Sequence, residues 1–147
     1  MGRIVYQQID VTLDSDATQD IWSVFAAASH KIILHGWELT SAAVAAALMD
    51  INLHRISAVG SGGDSSTTEE VADEQQGTIL ANVRTEDTVP GTASGSLMSY
   101  QWEQLGPVGH VWTPEMRPKS LVSEGFALTC NTAIVATLSG YLCWEEA

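Results

Sequence analysis

Two-residue alternation of apolar and polar side chains dominates the chain, and that is the period of β-strands. From Val5 to Leu13 the odd positions are Val5, Gln7, Ile9, Val11 and Leu13, while Gln8, Asp10 and Thr12 fall between them. One face of this segment suits burial and the other water. Asp14, Ser15 and Asp16 supply turn chemistry after it. Shorter strands are predicted over residues 20–26, carrying Trp22, Val24 and Phe25, and over residues 32–39. Met49, Ile51 and Leu53 then alternate with Asp50, Asn52 and His54, which predicts an amphipathic strand with His54 on a solvated or interface face.

The alternation returns over residues 78–84, with Ile79, Ala81 and Val83 inward, and over 97–104, with Met98, Tyr100 and Trp102 on one side. Residues 126–130 and 133–144 close the chain. The last run has Ile134, Ala136, Leu138, Leu142 and Trp144 on one face and Val135, Tyr141 and Cys143 on the other. Apolar residues on both faces predict a central strand. The Ala-rich stretch from Ser41 to Leu48 reads as a connection with room for one short helical turn.

Between these runs lie turn formers. Gly60 to Thr68, followed by the acidic stretch to Gly77, predicts a long exposed loop at about 59–78. Residues 88–96 read as another loop and Gly106-Pro107-Val108-Gly109 as a turn. Thr113 to Pro118 is bracketed by prolines and cannot be a central strand. The expected fold is therefore all-β with little helix. It is a single domain over residues 1–147, a jelly-roll-like β-sandwich of about 8–10 antiparallel strands. An immunoglobulin-type framework is disfavoured, because Cys130 and Cys143 both lie near the end of the chain.

Charge then narrows the partners. Eighteen acidic residues against six basic ones give a formal net charge of -12 over 147 residues. Phosphate binding needs clustered Lys and Arg, so no nucleic acid is expected, and no anionic membrane surface. Only 16% of residues are charged, and 14 Ser and 13 Thr carry much of the polarity. A weakly charged, hydroxylated surface suits packing into an assembly. No apolar leader and no run of about 18 apolar residues are present, so neither a signal peptide nor a membrane span is expected.

Candidate chemistry is sparse. The four histidines, His30, His35, His54 and His110, follow no local metal-ligand spacing. Cys130 and Cys143 read as buried reduced thiols. No nucleophile elbow or phosphate loop occurs. The acidic pairs Glu69-Glu70, Asp73-Glu74, Glu86-Asp87 and Glu145-Glu146 read as solvated charge. No enzyme activity, cofactor or metal is expected. Five tryptophans offer core, interface or sugar-stacking surface. Trp112 is the leading interface candidate, beside Pro114, Glu115 and Arg117 where a regular strand must break.

Several segments together resemble small tailed-bacteriophage virion structural proteins of the capsid cement, or decoration, type. They are Met1-Gly2-Arg3-Ile4, Ala17 to Ile21, Arg55 followed by Gly60-Ser61-Gly62-Gly63, Thr113 to Pro118, and Gly140 to Glu146. The resemblance spans essentially the whole chain, and the Ala-rich residues 41–48 depart from it. It implies a jelly-roll-like module, a homotrimer on the major capsid protein, made in the host cytoplasm and held on the outer capsid surface. The alternatives are a head-fibre, tail or baseplate adaptor protein, or a carbohydrate-binding β-sandwich module.

Overall fold

The computed structural model describes residues 2–16, 18–65, 69–72 and 77–147. Eleven strands are present among them: β1 (Arg3–Leu13), β2 (Gln19–Phe25), β3 (Ile32–Ser41), β4 (Met49–Ala58), β5 (Asp64–Ser65), β6 (Glu69–Val71), β7 (Asn82–Asp87), β8 (Thr92–Trp102), β9 (Val108–Val111), β10 (Gly125–Cys130) and β11 (Ala136–Glu146). They form two antiparallel sheets, ordered β6-β1-β11-β3-β9 and β5-β7-β2-β10-β4-β8.

Eight of the strands form four nested antiparallel pairs: β1 with β11, β2 with β10, β3 with β9, and β4 with β8. Successive pairs alternate between the two sheets. That arrangement is a jelly roll. The remaining three strands, β5, β6 and β7, come from the connection between β4 and β8 and extend the sheet edges. Residues 66–68 and 73–76 of the predicted 59–78 loop lie outside the described residues. Its described part is not all loop: β5 pairs with β7 and β6 pairs with β1.

The core follows the alternation. Val5, Ile9, Val11 and Leu13 of β1 are buried, and so are Leu138, Leu142 and Trp144 of β11. As predicted from its two apolar faces, β11 is central, paired with β1 on one side and β3 on the other. Both cysteines are free and buried, and burial pushes both thiols above their ordinary range.

Four local expectations fail for identifiable reasons. Residues 77–81 are not a strand, because the Leu80 and Ala81 N–H groups donate to the Glu146 carboxylate instead of a ladder; the strand begins at Asn82. Residues 92–96, read as loop, are the start of β8. Three register shifts against β4 accommodate this Gly- and Ser-rich stretch. The Gly106–Gly109 turn gives way to β9 at Val108. The Ala-rich connection forms no helix. Gln104 accepts from the Ser41 hydroxyl and donates to the Ala47 carbonyl at 3.0 Å, holding the connection open with Val44 100% exposed.

The C-terminal acidic pair is structural rather than solvated. Glu146 is 2% exposed. Besides the two backbone donors, it accepts from the Arg3 guanidinium. Glu145 accepts from His35 and from the Gly2 backbone N–H, each at 3.2 Å. Truncating Glu146 strands two backbone donors and removes an acceptor from the Arg3 guanidinium. Glu146→Ala is therefore expected to cost about 2 kcal/mol in urea unfolding, with the segment around Leu80 losing amide protection first. An unchanged midpoint would show that water replaces these bonds at no cost.

Candidate interaction surface

The sandwich ends on the same side in two edges that no further strand among the described residues covers, β8 of one sheet and β9 of the other. The Trp112 N–H donates to the His35 carbonyl at 3.0 Å, continuing the β3–β9 ladder by one residue. Antiparallel alternation then directs the N–H and C=O of Gly109 and Val111 away from β3. Beyond Trp112 the chain cannot continue as strand. Pro114 opens a 3-10 turn over Pro114–Met116, with Thr113 and Arg117 in extended conformation at its ends.

Leu97 and Met98 of β8, His110 and Trp112, and Met116 and Pro118 line a groove of about 470 Å³ along this side. Its walls are mainly apolar side chains. Val111 and Met116 are exposed in its lining. Trp112 differs from its expected place. It is 9% exposed and belongs to the core cluster, its ring tilted against His110 with centroids 4.9 Å apart. Pro114 and Glu115 are exposed on the turn, and Arg117 is half-buried on its far side. The structure thus gathers Trp112 at the groove, while Arg117 turns to a separate pocket on the outer face of the five-stranded sheet.

The other tryptophans are buried too: Trp22, Trp37 and Trp144 completely, and Trp102 with its indole N–H donating to the Gly106 carbonyl at 2.8 Å. A sugar needs an exposed ring to stack on, and none of the five indoles offers one. Of the three tyrosines, Tyr6 is exposed, while Tyr100 packs edge-on against Trp37.

A second cluster was not legible in the alternation. Where β10 meets β2 the register shifts between Leu128 and Thr129, so Trp22 lies opposite Leu128 and Asp20 opposite Thr129. The shift turns Asp20 to the face opposite Trp22. There Asp20 is 1% exposed and lies beside Asp87 across the β2–β7 ladder. It accepts from the Thr129 hydroxyl at 2.7 Å and the Gly91 N–H at 2.8 Å. Burial pushes its carboxyl up to about 6, and the Asp87 charge adds to that rise, against the pull of the two hydrogen bonds. Asp87 is paired with Arg84 at 2.8 Å. His54 is not on a solvated face: it is 8% exposed, its Nε2 lies 3.4 Å from the Thr129 hydroxyl, and burial lowers its pKa.

No family model, curated protein or solved structure matches this chain. The function is therefore argued from the fold and this surface.

Proposed function

We propose that the chain is a structural virion protein that binds the outside of a phage capsid as a cement or decoration protein. The jelly roll supports this reading, since that architecture is common among capsid and lectin domains. The open side of the sandwich carries it. An apolar groove between the edge strands β8 and β9, with exposed Val111 and Met116 in its lining, is surface that a freely diffusing domain normally covers. Packing against capsid subunits, or between copies in a trimer, would cover it. Many such modest contacts on one shell would add up through multivalency. Closed three-fold symmetry also suits the local three-fold positions of an icosahedral lattice.

The partners on this reading are the major capsid protein and two further copies of the chain. The work is binding, not catalysis. Cryo-electron microscopy of virions from the phage that encodes the chain tests it. Density for the jelly roll is expected on the outer shell at a copy number comparable to the capsomers. A shell fully explained by the major capsid protein, with this density confined to a few copies at a fibre or tail, would overturn the cement role in favour of an adaptor.

A further inference from the structure

We propose that the pocket around Arg117 is a receptor for a single carboxylate, an Asp or Glu side chain presented by a partner chain. The inference deepens the interface reading above and rests on it only for the identity of that partner.

Arg117 follows the 3-10 turn and leans over the outer face of the five-stranded sheet. There it joins Tyr6, His35, Tyr141 and Cys143 around a pocket of about 220 Å³. Its Nε is shut off from water and has no hydrogen-bond partner among the described residues. The other three arginines each have acceptors: Arg3 on Glu146, Arg84 on Asp87, and Arg55 on the Lys119 carbonyl. A guanidinium is always charged and offers five donors in a planar fork matched to a carboxylate. A buried donor left unsatisfied is rare in a native fold and calls for an acceptor.

The neighbours define what that acceptor is. The Tyr6 and Tyr141 hydroxyls add polar groups to the wall, and Cys143 lies beside Tyr6 and near the Arg117 charge. Three carboxylates share the same sheet face. Glu145 is engaged by His35, Glu38 sits opposite Tyr141, and Glu70 sits opposite Tyr6. None of them pairs with Arg117. Their charges oppose a dianion such as phosphate more strongly than a monoanion, so a single carboxylate is the anion that this face suits best. The pocket accommodates a carboxylate head with its methylene stem, not a large ligand.

Acetate is the probe. Nuclear magnetic resonance of the labelled protein would follow the Arg117 Nε–H and the Val111 and Cys143 amides as acetate is added, with chloride at matched ionic strength as control. A saturable shift confined to these residues is expected. It should be at least about tenfold weaker in Arg117→Gln, and weakened also in Arg117→Lys, which keeps the charge and loses the fork. Unchanged amide spectra elsewhere would show that the variants fold, and the lysine variant serves if the glutamine variant does not. A linear, chloride-like response in the parent, or equal acetate affinity in parent and variant, overturns the proposal. Sedimentation with and without acetate identifies the source: an assembly that acetate dissociates takes its carboxylate from a second copy, and a mass indifferent to acetate assigns it to another chain. Absence of the protein from virions would leave the titration unchanged, so the two readings fail separately.

Discussion

Replacing Trp144 with alanine is expected to lower the unfolding free energy by about 3–5 kcal/mol, the range for deleting a buried aromatic side chain. Trp144 is fully buried in β11, the central strand of its sheet, opposite Val5 on one side and Leu34 on the other. Its removal leaves a cavity bounded by two ladders, which cannot close without shifting both. Trp144→Phe separates packing from polarity. The indole N–H has no hydrogen-bond partner among the described residues, so phenylalanine removes an unsatisfied donor while keeping most of the ring. Its cost should be well under half that of alanine. Urea unfolding of the three proteins measures both effects, and an alanine variant within experimental scatter of the parent would show that this end of the sandwich is not part of the cooperative core.

The second large effect is pH-dependent and of opposite sign. Asp20→Asn is expected to stabilise the protein above pH 6, by up to about 3 kcal/mol for a shift of roughly two units. The ordinary Asp value is 3.8 and the folded value about 6. The folded state therefore binds a proton that the unfolded state has already released between about pH 4 and 6. Over that window the parent loses stability as pH rises, and above it the full cost of a buried charge remains. Asparagine carries no charge, so its curve lacks this decline. The gap between the two proteins should open from pH 4 to 6 and then stay constant.

The hydrogen bonds can survive the exchange. The asparagine oxygen still accepts from Gly91, and its amide can donate to the Thr129 hydroxyl, which is free to turn toward His54. His54 works the other way: its lowered pKa makes stability fall as pH drops through its titration. Because parent and variant share His54 and Arg84, the difference curve reports Asp20 together with its coupling to Asp87. Parallel curves from pH 4 to 8 would mean that Asp20 stays solvated and ionised in the folded protein.

The sandwich was legible wherever one face meets the core and the other meets water. The alternations at Val5–Leu13 and Met49–Leu53 and the doubly apolar run ending at Trp144 each became strands with the expected inward residues. The pattern fails where a side chain takes over a backbone's partners. Glu146 does so at Leu80 and Ala81, and Gln104 at Ala47. Neither partnership has a local signature, since the bonded residues lie 57 to 66 positions apart. Buried polar groups misled for the same reason. His54 reads as a solvated or interface position, and nothing in the pattern marks Asp20, until the register shift at Thr129 and the arrival of Gly91 bring them together. Of the candidate interface, the Pro-bracketed break after Trp112 could be read directly. The groove could not, because β8 and β9 supply it from two different sheets.

The nested pairing has a consequence for how the protein is made. The innermost pair, β4 with β8, joins segments separated by one connection, whereas β1 waits for β11 at the other end of the domain. A chain leaving the ribosome therefore exposes most of β1, whose row of buried-type residues has only the three-residue β6 beside it, until the last strand has been translated. Pairings this distant in sequence form slowly, because loop-closure entropy must be overcome first. Nascent chains should accordingly need chaperone shelter, and overexpression should fail through aggregation of unfinished chains rather than through instability of the finished one.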